Sequence, residues 1–108
     1  MEKYTVILVT ASSKEEAENI AQQLLEEKLI ACANIVGPIS SHFHWEGKVE
    51  VAEEFLLLLK SRLDLFDMVA EHVRARHSYE VPEILAVPVH FGSSAYLSWI
   101  REETAPKT

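Results

Sequence analysis

Apolar and polar positions recur along the chain with two periods, one typical of strands and one typical of helices. Residues Tyr4–Thr10 are β-branched or apolar throughout, which predicts a strand covered on both faces. A capping-box pattern then begins at Ser13, and apolar positions at steps of three and four predict a helix that ends near Leu29. The stripe of this helix comprises Ala17, Ile20, Ala21, Leu24 and Lys28.

The next pattern predicts a long hairpin. An extended stretch from Ile30 to Trp45 is interrupted at Gly37-Pro38, and apolar and polar residues alternate after the break. Glu46-Gly47 suits a tight turn, because Gly readily adopts a positive φ. The return strand, Lys48–Lys60, carries an unbroken apolar run at 55–59, which again predicts cover on both faces.

The rest of the chain predicts two helices and a strand. A second helix is expected from Ser61 to His77 and a fourth strand from Glu83 to Phe91. Pro88 cannot donate to a strand ladder, so this strand belongs at a sheet edge. A last short helix begins at Ser93 or Ser94 and carries Tyr96, Trp99 and Ile100.

This order is β-α-β-β-α-β with a terminal helix, in one domain over residues 1–108. Right-handed crossovers make it an α+β fold, the ferredoxin-like sandwich, with strands one and three in the centre of the sheet. The two unbroken apolar runs fall in those same two strands, as central positions require.

The predicted hairpin is too long for one chain to cover. Its strands are each well over twice the common length of about five or six residues. Its tip still carries the apolar side chains Phe43, Trp45, Val49 and Val51. A long exposed edge with aromatic residues aggregates unless a partner pairs with it. We therefore expect a closed homo-oligomer built by strand addition; the alternative is a hairpin folded back on its own sheet.

Composition narrows the class of protein. The chain has 108 residues and a net charge of −7, which argues against a nucleic-acid partner because that partner needs a basic face. A single Cys cannot form an intrachain disulfide. The apolar runs are far shorter than the roughly 18–20 residues of a membrane span, and Met1-Glu2-Lys3-Tyr4 lacks the pattern of a secretory signal. These features predict a cytoplasmic protein without a membrane partner.

Several residues could bind a metal or carry chemistry. His42 and His44 lie two apart on a predicted strand, so their imidazoles share a face and could chelate a metal; surface packing is the alternative. With a two-residue turn, they pair with Val51 and Val49. Cys32 sits among small apolar residues, which favours a buried hydrophobe over a nucleophile, because a nucleophile needs an adjacent base.

The segment 74–83 is the richest in functional atoms. His77, Tyr79, Glu80 and Glu83 supply an imidazole, a hydroxyl and two carboxylates around a proline turn, in either a ligand site or a structural hydrogen-bond network. Glu54 lies beside the apolar run and needs a partner if it is buried, because an unpaired buried charge is costly. Either a base from a neighbouring subunit pairs with it, or it is exposed beyond the sheet. With three glycines and no phosphate-binding loop motif, a Gly-rich phosphate site is poorly supported.

Taken together, five pieces of the chain resemble the CutA (CutA1) divalent-cation tolerance proteins in order and spacing. The pieces are Leu29-Ile30-Ala31-Cys32-Ala33-Asn34, Trp45-Glu46-Gly47-Lys48, Glu54 through Lys60, His77-Ser78-Tyr79-Glu80-Val81-Pro82-Glu83-Ile84 and Tyr96-Leu97-Ser98-Trp99. The resemblance implies a ferredoxin-like homotrimer, similar to the PII signalling proteins, with a role in tolerance to copper and other divalent cations and no catalytic activity. It also implies an intersubunit cleft around Cys32, Trp45, Glu54, Lys60, Tyr79 and Glu80, with His77.

The match to proposed copper ligands of some bacterial relatives is partial. Val9 stands at their Cys position and Arg76 at their first His, so only His77 of that set is present here. The leading hypothesis is a non-enzymatic trimer that binds divalent metal, such as Cu(II), weakly through His77, with His42 and His44 as a private site. The rival is a PII-like regulator that binds a small molecule or a protein partner in the same clefts. An enzyme using Cys32 or His77 is a third reading.

Overall fold

The computed structural model describes residues 3–106; Met1 and Glu2, on which the signal-sequence prediction partly rests, lie outside them, as do Lys107 and Thr108. The protein is an α+β fold with one four-stranded antiparallel sheet. Its elements are β1 (Tyr4–Ala11), α1 (Lys14–Glu26), β2 (Cys32–Trp45), β3 (Lys48–Arg62), a 3-10 turn (Leu63–Leu65), α2 (Phe66–Arg76), β4 (Ile84–Pro88) and α3 (Ser94–Glu103). None of the helices formed by residues 3–106 could span a membrane.

The strand order is β2-β3-β1-β4, so the first and third strands are central, as the predicted crossovers placed them. Pro88 is the last residue of the edge strand β4, opposite Thr5, which confirms the edge placement. The missing N–H of a proline is tolerated there because an edge strand has a free side.

The core lies between one face of the sheet and the helices α1 and α2. Burial alternates along β1, where Ile7 and Val9 are fully buried while Val6 and Leu8 are only half-buried. From α1 the core receives Ala17, Ile20, Ala21 and Leu24, and from α2 Val69 and Val73. The predicted stripe of α1 is thus its buried face, except for the exposed Lys28.

The opposite face of the sheet is an open apolar surface, which corrects the prediction that strands one and three are covered on both sides. This open face carries Val36, Leu56, Leu58, Leu85 and Val87. Leu85 keeps 55% of its side-chain surface exposed and Val87 keeps 47%. Both long helices lie on the other face, so in a single chain this one is only partly covered.

Three predicted boundaries were wrong. The second helix begins at Phe66 and not at Ser61, because β1 continues to Tyr4 and keeps Ser61 and Arg62 paired in β3. Helix α1 ends at Glu26 before Leu29, since Lys28 takes a left-handed conformation (φ 57°) that reverses the chain. Strand β4 spans only Ile84–Pro88, the residues that pair with Thr5–Val9 of β1.

The predicted hairpin is confirmed in register and turn. Trp45 pairs with Lys48 across the two-residue turn Glu46-Gly47, whose φ values are 51° and 77°. The ladder is irregular between Val36 and Ile39, where Gly37-Pro38 interrupts it with a cis peptide bond. Because β1 ends opposite Phe55, residues 39–54 project beyond the central strand; we call this part the outer hairpin.

Candidate functional site

Four polar side chains meet at the start of β2, on the open face. Cys32 pairs directly with Lys60 across the ladder. The Asn34 Oδ1 accepts hydrogen bonds from the Cys32 thiol (3.7 Å) and from the Lys60 ammonium. From α3, the Tyr96 hydroxyl lies 4.0 Å from the Cys32 sulfur, and burial together with the thiol raises the pKa of Tyr96. We call this group the thiol cluster.

A second group forms around Glu54 at the inner end of the outer hairpin. Glu54 is only 6% exposed, and its Oε2 accepts a 2.7 Å hydrogen bond from the Tyr79 hydroxyl. The partner that the buried carboxylate required therefore comes from the same chain. Burial, the hydrogen bond and the charge of Glu54 together raise the pKa of Tyr79 to about 12, since all three disfavour the phenolate.

The His77 ring is buried and holds the segment after α2 against β1. Its Nε2 lies 2.7 Å from the carbonyl oxygen of Thr10, and its Nδ1 accepts a 3.0 Å hydrogen bond from the Tyr79 amide. This pattern requires a neutral ring protonated on Nε2, because a backbone amide can only donate. A metal at Nδ1 would have to displace the Tyr79 amide. The metal role of His77 stays a prediction, and it requires this hydrogen bond to break.

Glu16 is a member of this network that sequence reasoning missed. Its carboxylate accepts hydrogen bonds from the Ser12 amide (2.9 Å) and the Ser78 amide (2.8 Å), and it lies 3.8 Å from His77 Nε2. Burial alone would raise the pKa of Glu16, but the hydrogen bonds from Ser12 and Ser78 outweigh it and lower the pKa. The capping-box position was the available signal, but a capping box says nothing about Ser78.

Within one chain the residues predicted for the cleft form two separate pairs, Cys32 with Lys60 and Glu54 with Tyr79, and these pairs do not meet. Alternation along β3 puts Lys48, Glu54 and Lys60 on the same side, together with Trp45 and Cys32 as ladder partners. Lys60 and Glu54 are separated by six residues along the strand, about 20 Å. Trp45 stands at the tip, 60% exposed, and Glu80 is also exposed. The cleft stays a prediction that needs a second copy of the chain.

The two histidines of the outer hairpin lie where the register argument placed them. His42 pairs with Val51 and His44 with Val49. Both histidines are exposed, and His42 Nε2 is 3.2 Å from the Ser40 hydroxyl. They alternate with Phe43 and Trp45 and thus point away from the predicted cleft. Within residues 3–106, no three His, Cys, Asp or Glu side chains are arranged to hold a metal ion.

The two remaining ligand positions proposed for bacterial relatives are occupied here by Val9 and Arg76, which are not metal ligands. Val9 is fully buried in the core, opposite Leu57 and Ile84. Arg76 turns back along α2 towards His72 and towards Gln23 of α1. A metal site built from positions 9, 76 and 77 does not fit these side chains, because a buried alkyl group has no lone pair and a guanidinium repels cations.

The chain is similar in both sequence and structure to known divalent-cation tolerance proteins. A family model described as CutA1 divalent ion tolerance protein matches residues 5–103. The divalent-cation tolerance protein CutA of Archaeoglobus fulgidus is 50% identical over 99 residues, which cover 92% of this chain and 96% of that protein. The solved divalent cation tolerance protein of Thermus thermophilus superposes with a TM-score of 0.92 at 44% identity, covering 94% of this chain and 99% of that one.

Plant relatives are longer than this chain. The chloroplastic protein CutA 1 of Oryza sativa is 44% identical over 99 residues, which cover 92% of this chain and 56% of the rice protein. The corresponding share of the Arabidopsis thaliana chloroplastic protein CutA is 54%. This chain therefore spans a little over half the length of these relatives.

Proposed function

This chain belongs to the CutA1 divalent ion tolerance family, and from that premise we propose that it acts in divalent-cation tolerance as a non-enzymatic homotrimer. The role rests on the family description and on the printed name of the Archaeoglobus protein, which is 50% identical. The ferredoxin-like topology, one domain and the trimeric state are part of the proposal, and the strand order β2-β3-β1-β4 supports the first of them.

The open face is the single observation that carries the assembly. Leu85, Val87 and Val36 are each roughly half exposed on it, and Phe43 and Trp45 extend the apolar surface along the outer hairpin. Contiguous apolar surface of this kind marks a protein interface, since leaving it in water promotes aggregation. A closed assembly of identical chains covers it and brings the separated cleft residues of neighbouring copies together.

The absence of enzymatic activity is proposed from the environment of the thiol. The hydrogen bonds found for Cys32 go to Asn34 and Tyr96, and the buried His77 has its ring nitrogens engaged with Thr10 and Tyr79. An activated thiol needs a base within hydrogen-bond reach. These contacts support structural roles for both groups.

Weak divalent-cation binding in the clefts, with Cu(II) as the candidate ion, completes the proposal. Each chain carries a net charge of −7, so an assembly of three concentrates cations electrostatically before any specific ligand acts. The same charge supports the proposal that the protein has no nucleic-acid partner. The location stays proposed as cytoplasmic, with no membrane partner.

The thiol cluster favours the alternative function, a PII-like module that binds a small molecule. A lysine ammonium, an amide and a tyrosine hydroxyl converge there beside exposed apolar side chains, an arrangement suited to a small polar ligand. A thermal-shift screen of metabolites and metal salts distinguishes the two, because a ligand that binds only the folded protein raises its Tm.

Light scattering of the purified chain tests the assembly. We expect a mass of three times 12.2 kDa, and a lower mass for the double variant Leu85→Glu/Val87→Glu, which places two charges on the open face. Leu25→Glu is the matched control, since Leu25 is exposed on α1, away from the sheet. A monomeric wild-type mass, or an equal loss in the control, contradicts the proposed trimer.

Growth in graded copper and zinc salts tests the tolerance role. Cells of the source organism that lack the gene should stop growing at a lower metal concentration than cells in which it is restored. Equal sensitivity of the two strains contradicts the role in tolerance. Restoration by the Leu85→Glu/Val87→Glu variant would mean that assembly is unnecessary for it.

A further inference from the structure

Two features set His42 and His44 apart from the other candidate ligands. They lie two positions apart, about 7 Å along β2, and their side chains leave the same face. Both belong to exposed residues, and the hydrogen bond found for His42 goes to the Ser40 hydroxyl, which water can replace. At His77, in contrast, a metal at Nδ1 must first break the hydrogen bond from the Tyr79 amide.

We infer that His42 and His44 form a bidentate Cu(II) site on the outer hairpin, on the face opposite the predicted cleft. Strand geometry directs both imidazoles to one side, so a single ion can bridge them after small rotations of the side chains. The inference rests on the proposed function only for the choice of a divalent cation as the ligand.

The chemistry of the pair selects Cu(II) among divalent ions. Affinity for nitrogen ligands rises along the first row to a maximum at Cu²⁺, and a tetragonal ion accepts two imidazoles with water in its other positions. Structural Zn²⁺ instead requires four protein ligands, and residues 3–106 present no preformed set of even three. Zn²⁺ should therefore bind this pair more weakly than Cu²⁺.

One carboxylate adds a favourable charge beside the pair. Glu53 is the ladder partner of Ser40, so it lies on the histidine face, one diagonal step from His42. That step is about 7–8 Å, within reach of an outer-sphere or water-mediated contact. Glu53→Gln should weaken Cu(II) binding by less than the loss of either imidazole, since it removes charge but no direct ligand.

Calorimetric titration of Cu(II) into the full chain, in a buffer that does not bind copper, tests the site. We expect one saturable site per chain, weakened about 100-fold in His42→Ala and in His44→Ala, because each change removes the advantage of two linked ligands. Electron paramagnetic resonance of the loaded protein should show two imidazole nitrogens on the copper, and one in each variant.

A rearranged pair is the sharpest control. Combining Ser41→His with His42→Ala keeps five histidines but puts the two hairpin rings on opposite faces, and should bind as weakly as His42→Ala. His90→Ala, which removes an exposed histidine elsewhere, should bind as wild type. Wild-type affinity in the rearranged variant, or an equal loss in His90→Ala, overturns the chelate and leaves only nonspecific attraction of the acidic surface.

The titration and the growth assay separate the two proposals. If copper binding requires the pair but restored cells show no copper tolerance, the site stands and the proposed function fails. If tolerance is restored while the histidine variants bind copper as tightly as wild type, the site fails and the function stands.

Discussion

The Tyr79–Glu54 hydrogen bond couples an ionisable phenol to a buried carboxylate. Tyr79 keeps its proton beyond its ordinary pKa of 10.0, up to about 12, because burial and the neighbouring carboxylate both disfavour a phenolate. The unfolded chain releases this proton at lower pH than the folded one. The contribution of Tyr79 to stability is therefore fully present below pH 10 and is lost as the pH rises towards 12.

Glu54→Gln should bring the ionisation of Tyr79 to lower pH, because the amide keeps a hydrogen-bond acceptor but removes the negative charge. Ultraviolet absorbance of tyrosinate during an alkaline titration measures this change. Both proteins should carry Tyr96→Phe, since the pKa of Tyr96 is also raised. Glu50→Gln, at an exposed position of the same strand, is the control. Identical titration curves for Glu54→Gln and its parent would contradict the coupling.

Glycine has a different purpose at each end of the long hairpin. A Cβ at Gly37 would lie 2.4 Å from the ring of Phe55, so the absence of a side chain lets the strand irregularity close over that ring. At Gly47 nothing lies within 4 Å of such a Cβ, but the φ of 77° disfavours any L side chain. The first glycine is required by packing and the second by backbone conformation.

Alanine substitutions should separate these two effects. Gly37→Ala should lower the free energy of unfolding by about 1–3 kcal/mol through displacement of Phe55, and Gly47→Ala by about 1–2 kcal/mol through backbone strain alone. Gly92→Ala is the milder control, since its Cβ would meet only the movable side chain of Leu97, at 3.1 Å. Urea denaturation at one fixed protein concentration measures all three. A cost at Gly37 no larger than at Gly92 would show that Phe55 moves freely.

The whole molecule is elongated, 44 × 26 × 21 Å, because the outer hairpin extends past the helices. Its core is one-sided: α1 and α2 close one face of the sheet, and the open face stays partly exposed in a single chain. Folding of such a chain should be linked to association, since covering Leu85 and Val87 removes apolar surface from water.

The Tm should therefore rise with protein concentration, by roughly 4 °C for each tenfold increase if three chains assemble. Differential scanning calorimetry over two decades of concentration measures this dependence. The Leu85→Glu/Val87→Glu variant should have a lower Tm that does not change with concentration. A wild-type Tm independent of concentration would mean that the open face is stable without a partner.

Local patterns accounted for much of the architecture. Alternation and apolar runs predicted the order of the elements and agreed with the central strands, because the periodicity of a strand or helix depends only on residues close together in sequence. The Glu46-Gly47 turn then set the register that pairs His42 with Val51, since a two-residue turn leaves one pairing of the flanking strands. The helix start at Ser13 was likewise predictable, because the Ser13 side chain caps the helix through the amide of Glu16, within one helical turn.

Contacts between distant parts of the chain were decided only by the tertiary structure. The strand continues through Ser61 because a partner strand lies beside it, although the local pattern favours a helix start. Glu54 and Tyr79 are 25 positions apart, and Cys32 and Tyr96 are 64 apart, so no local period brings them together. The open face is the same kind of result: residue patterns showed that both sides of the sheet are apolar, but packing determined which side the helices cover.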